Sequence, residues 1–376
     1  FSIGISVLVA ELAIGRLAQA NAVTAFHRLG KPRWAVIGWM GVGSALIILS
    51  FYSIVAGWTV AYAGKMAAGA FMAEGTQAGD IFNAFVARPL TPLLFGAAFM
   101  AVTGAVIWRG VSRGIERLSW VLMPLLLLLL VALMVRALTL PGAFEGVAFL
   151  FAPDFGAVDG GTINAALGQA FFSLSLGLGA MLTYGSYMDS HHNVGRSAAA
   201  IVALDTGIAM SAGLVVLPAV FAFGLEPGTG PGLVFVTLPE IFAKMPLGQV
   251  FGTLFFVLLA FAALTSTVAL MEPVCAFLIG ARGMRRHRAA LLTGVMAFVL
   301  GIPSSWSLGM WSDVTLFDMT IFDIADYVTA KIMLPLGGLL IAVFAGWILG
   351  GRIEATLAPH GGGRVLVAGW RLIVRF

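Results

Sequence analysis

Apolar residues run along this chain in blocks of membrane-crossing length. Runs near 1–20, 36–70, 91–108, 118–138, 164–188, 196–224, 247–280, 287–304 and 320–350 each hold the ~20 residues needed to span a bilayer core, and a further run opens after 363. Each predicts a transmembrane helix, and the longest imply tilt or extension into the loops. No soluble domain, nucleic-acid motif or low-complexity tract separates them. The chain starts inside a run at Phe1 and stops at Phe376 soon after another begins, which sets the expectation of a longer protein with at least one helix in front.

One run breaks its own pattern. Residues 172–179, Phe-Ser-Leu-Ser-Leu-Gly-Leu-Gly, place two hydroxyls and two glycines where the hydrocarbon core would be. Backbone groups freed there are tolerated only where they line a cavity or meet an ion or ligand, so the segment reads as a binding site. The alternative is that its small residues merely let two helices pack closely.

Composition fixes the class. Hydrophobic residues make up 60% of the 376 and charged ones only 10%, and the mean hydropathy is +1.01, far outside the range of soluble domains. The single cysteine, Cys275, excludes an internal disulfide and a cysteine metal cluster. Its expected role is packing. Basic residues alternate by loop: Arg16, Arg28, Lys31 and Arg33 follow the first run, Arg109, Arg113 and Arg117 the third, Arg196 the fifth, Arg282, Arg285, Arg286 and Arg288 the seventh, and Arg352, Arg364, Arg371 and Arg375 the ninth. The intervening loops hold Lys65, Arg88, Arg136 and Lys244, so the richer set faces the cytoplasm. The pI of about 9.5 is therefore topology, and scatter over alternate loops argues against a nucleic-acid partner. The adjacent pair His191-His192 reads as a solvated loop, since neighbouring histidines do not share a helix face.

Acids and hydroxyls inside the runs carry the chemistry. Glu11, Asp205, Glu272, Asp323 and Asp326 fall in or at the edge of apolar spans, where an ionised carboxylate needs a partner, a proton or a cation. Asp205 lies well inside the sixth span with no basic neighbour in sequence; sodium with hydroxyl and carbonyl ligands would satisfy it, as would a neutral hydrogen-bonded state or a pair with a residue on the expected preceding helix. Thr265-Ser266-Thr267 offers three consecutive hydroxyls to a hard monovalent cation, with helix carbonyls such as that of Ala262 completing the shell. The same hydroxyls can instead bond back to their own helix.

Read together, Gly168-Gln169-Ala170-Phe171-Phe172-Ser173-Leu174-Ser175-Leu176-Gly177-Leu178-Gly179, Leu264-Thr265-Ser266 and Arg109-Gly110-Val111-Ser112-Arg113-Gly114-Ile115-Glu116-Arg117 resemble the neurotransmitter:sodium symporter family, in its bacterial leucine-transporter branch. Glu11-Leu12-Ala13-Ile14-Gly15-Arg16, Gly230 to Pro239, and Phe322-Asp323-Ile324-Ala325-Asp326-Tyr327 add to the match, which runs in order over the chain. The resemblance implies an all-α polytopic membrane protein built as two inverted five-helix repeats. It implies one transporter domain over 1–376, from the family's second helix to the start of its eleventh, without the first broken helix.

The resemblance also implies roles. Tyr52 would meet the substrate carboxylate, Phe172 would lie over the substrate as a lid, and Ser175 would receive its amine. Ile48, Leu178 and Leu270, with Ser173 and Ser266 beside them, would complete the pocket. Ser173 and Asp205 would hold a first sodium, and Ala262, Thr265 and Ser266 a second. Asp205 would supply the negative charge that chloride supplies in animal members, so chloride is not expected to be required. Asp326 and Gln169 would act at the outer gate with a basic partner on the preceding helix, and Tyr187 at the inner gate, although Gly280 stands where the family has an aspartate. The expected activity is sodium-coupled symport of small, hydrophobic or aromatic amino acids across the inner (plasma) membrane by alternating access. The alternative is a symporter-like sensor or uncoupled channel. An enzyme is not expected, for want of a nucleophile–base pair, metal cluster or phosphate loop.

Overall fold

The computed structural model describes residues 2–73, 75–189, 192–225, 230–357 and 364–375, which leaves His191 outside the described residues. Every apolar run becomes helix, as it must where the bilayer offers backbone groups no partner but their own chain. The main helices are α1 (Ser2–Ala18), α2 (Ala35–Ala67), α3 (Thr91–Trp108), α4 (Arg117–Leu138), α5 (Gly160–Ser173), α6 (Ala180–Gly185), α7 (Val194–Ala222), α8 (Leu238–Lys244), α9 (Gly248–Arg282), α10 (Arg286–Ser307), α11 (Ile321–Asp326), α12 (Leu334–Val343) and α13 (Arg364–Arg375). Seven helical stretches among the described residues are long and apolar enough to cross a membrane. The remaining two expected spans are the 17-residue α1 and the interrupted pair α5 and α6. The chain is thus a multi-pass membrane protein.

Helices α2 and α9 make the most extensive interhelical contact, and α3 and α10 flank α2. Large side chains such as Trp120, Leu128, Leu291 and Leu339 point outward, an apolar belt suited to lipid and unsuited to water. At one end an aromatic cluster of Trp58, Tyr62, Phe85, Phe235 and Phe256 joins α2 and α9 to the connecting segment before α8. Cys275 is buried beside Thr293, in the packing role expected of it. α13 docks on α1, where the Trp370 indole donates to the Ser6 carbonyl at 2.9 Å.

The break falls where the hydroxyls and glycines stand. Asp159 and Thr162 form a capping box that starts α5, which ends at Ser173, and helix resumes at Ala180. Between them Ser175, Gly177 and Gly179 take φ of 55°, 75° and 68°, a region that glycine enters freely and serine does not. Gly41 of α2 permits close approach to this segment, because a β-carbon there would collide with the backbone of Leu178 and Gly179.

Candidate functional site

The freed backbone of the break is held by a carboxylate. Glu11, wholly buried on α1, accepts the N–H of Gly177 at 2.7 Å. The backbone of Leu182, in the first turn of α6, stands near enough to act on it electrostatically. Glu11 thus gives the broken backbone an acceptor supplied from a different helix. Its second oxygen is buried without a partner. The sequence marks Glu11 as an acid out of place, but nothing in it shows that α1 passes beneath the break.

Beside the break lies a cavity of about 300 Å³ lined by Ile48 and Tyr52 of α2, Gln169, Phe172 and Ser173 of α5, Ser175 and Leu178 of the break, Asp205 of α7, and Ser266 and Leu270 of α9. All eight residues expected to bind substrate line it, together with Gln169 and Asp205. Ser173 donates its hydroxyl between both oxygens of Asp205, at 2.7 and 2.8 Å. The Tyr52 hydroxyl stands beside that of Ser266, on the adjoining helix α9. Ile48, Phe172, Leu178 and Leu270 leave most of the remaining wall apolar.

A second group of oxygens gathers on α9. Thr265 and Ser266 both donate to the Ala262 carbonyl, at 2.8 and 3.1 Å. Thr267 bonds back to Leu264 and meets Thr103 of α3 at 2.9 Å, which turns it away to fix helix packing. The back-bonding alternative therefore describes the hydroxyls as they stand. It also leaves the oxygens of Ala262, Thr265 and Ser266 clustered within one turn, a donor set of the hard type sodium prefers, which it could reach by displacing two hydroxyl protons from the carbonyl.

At the basic end Tyr187 donates to Glu272 at 2.7 Å, and Glu272 pairs with Arg286. Arg286 also donates to the Ile107 carbonyl at 2.7 Å, joining the region after α6 to α9, α10 and α3. At Gly280 a β-carbon would run into the amide nitrogen of Asn21, so a side chain there would require that amide to shift. Asn21 itself accepts from the backbone N–H groups of Val23 and Thr24 at 3.1 and 3.0 Å. At the opposite end Asp326 closes α11 and carries no ion pair within 4.0 Å among the described residues. Nearby stands Lys331, a cation within the ninth apolar run, which the sequence reading passed over.

The sequence profile of the Sodium:neurotransmitter symporter family matches residues 93–351. The uncharacterized sodium-dependent transporter YhdH of Bacillus subtilis (strain 168) is 42% identical over 91% of this chain and 76% of its own length. An uncharacterized sodium-dependent transporter of Haemophilus influenzae is 34% identical over 95% of this chain and 81% of its own length. Among solved structures, the crystal structure of MhsT in complex with L-phenylalanine superposes with a TM-score of 0.93 at 44% identity, covering 100% of this chain and 86% of that one.

Proposed function

We propose, for a chain that belongs to the sodium:neurotransmitter symporter family and is therefore a sodium-dependent transporter and not an enzyme, that the cavity beside the break takes a hydrophobic or aromatic amino acid together with sodium. The observation that carries this reading is the Ser173–Asp205 pair in the wall of an otherwise largely apolar cavity. A carboxylate in such surroundings is a ready partner for a cation, and a zwitterion whose side chain is apolar suits the remaining wall. The relative solved with L-phenylalanine supports the substrate class.

In this reading Ser173 turns its lone pairs to sodium held by Asp205. Tyr52 donates to the substrate carboxylate, and the break around Ser175 accepts the ammonium. Phe172 closes over the side chain, which rests on Ile48, Leu178 and Leu270. A second sodium takes the oxygens of Ala262, Thr265 and Ser266. Because Asp205 already balances the cation, chloride is not required. Transport follows by alternating access, with Gln169 and Asp326 on the outer side and Tyr187 on the inner side, where Glu272 and Arg286 stand in for an aspartate at 280. Sodium favours the state that completes both sites because it binds that state better. The setting is the plasma membrane, with residues 1–376 as one transporter domain.

The test is equilibrium binding of labelled phenylalanine to the full-length protein in sodium and in potassium buffers. Saturable binding that needs sodium is expected, and binding indifferent to the cation would overturn the reading.

A further inference from the structure

Lys331 is an ammonium on a membrane-spanning segment, a position where charge is expensive and marks function by default. It lies five residues after Asp326, within a π-helical turn, Tyr327–Met333, that joins α11 to α12. In an α-helix residues five apart diverge by about 140° around the axis. Hydrogen bonding from i to i+5 closes a wider turn, which brings such residues back toward one face. Lys331 is accordingly near enough to act on Asp326 electrostatically, with Asp323 the other charged group that does so. No ion pair within 4.0 Å fixes either side chain among the described residues.

The lysine side chain lies across Gly168 of α5: a β-carbon at Gly168 would stand 3.8 Å from both its Cδ and its Nζ. The next residue, Gln169, lines the cavity. A cation thus lies beside the residue that precedes a cavity-lining amide, on two elements that pack against each other, with an anion one π turn away.

We propose that Lys331 is a positioning residue of the outer mouth, whose ammonium donates to the Asp326 carboxylate and the Gln169 amide oxygen when the mouth closes and so ties α5 to the π turn. The π turn is then the feature that lets one helix carry both charges of the closure. Lys331 acts in addition to any base on a preceding helix, and it retards escape of what the cavity holds. The inference rests on the cavity being the transport site.

The test is the dissociation rate of labelled phenylalanine from the sodium-loaded, full-length protein. Absence of sodium-dependent binding in the wild type would overturn the functional reading before Lys331 is addressed. Given that binding, Lys331→Met should speed dissociation about threefold to fivefold, the effect of a partly exposed ion pair. Lys331→Arg should restore the slow rate. Adding Lys331→Met to Asp326→Asn should produce no further acceleration, a non-additivity that general loosening of the fold would not give. If the methionine variant does not survive extraction, Lys331→Gln reads the same comparison. A wild-type rate in the neutral variant, or additive effects with Asp326→Asn, would overturn the proposal.

Discussion

The Ser173 hydroxyl of α5 sits astride the Asp205 carboxylate of α7, 2.7 Å from one oxygen and 2.8 Å from the other. Both partners line the cavity, so a cation entering it meets a carboxylate that, among the described residues, is bonded to one hydroxyl that can rotate aside. Asp205→Asn removes the charge and keeps the shape. Sodium affinity in phenylalanine binding should fall about tenfold, ~1.4 kcal/mol, or binding should become chloride-dependent. Normal binding by the variant in chloride-free gluconate buffer would dismiss charge balance by Asp205.

Thr265→Val combined with Ser266→Ala tests the second ion. The helix loses two hydroxyls that donate back to their own turn, a kind of bond that contributes little to helix stability, so membrane insertion and melting temperature should hold. Sodium loses oxygens that apolar groups cannot replace, and the sodium concentration for half-maximal binding should rise about tenfold or more. An unchanged sodium titration removes these residues from the ion site.

Much of this arrangement is legible in the chain and some is not. Hydropathy alone places the helices to within a few residues, since an unpaired backbone is not tolerated in lipid; the run 91–108 is α3 itself, Thr91–Trp108. The break is legible for the same reason, as glycines and hydroxyls are the residues that tolerate it. What local sequence hides is partnership across the fold. Glu11 accepting the Gly177 N–H, Asn21 filling the space beside Gly280, and Glu272 joining Tyr187 to Arg286 each depend on which helices meet. Lys331 is legible as a cation within the ninth run; what helical periodicity does not announce is the π turn that changes which residues share its face.

Glu11→Ala should be the most damaging change outside the cavity. It strips a buried acceptor from the Gly177 N–H, and a buried donor left unsatisfied costs about 1–3 kcal/mol. A lowered melting temperature in detergent and loss of phenylalanine binding are expected. Retention of both would show that the break does not need this acceptor.

Pocket size sets specificity. With Ile48, Leu178 and Leu270 around a cavity of about 300 Å³, hydrophobic and aromatic amino acids should compete for binding better than glycine, alanine, glutamate or lysine. Leu178→Phe should shift preference toward smaller side chains, because a filled cavity resists overpacking. Competition across the twenty amino acids reads both effects, and a wild-type preference for glycine or a charged amino acid would refute the pocket assignment.

Coupling itself is measured most directly by uptake of labelled phenylalanine into proteoliposomes carrying the full-length protein, with and without an inward sodium gradient. Accumulation above the external concentration that needs the gradient, and collapses when a sodium ionophore is added, is the predicted result. Sodium-dependent binding without gradient-driven accumulation would contradict symport and leave a protein that binds the amino acid but does not concentrate it.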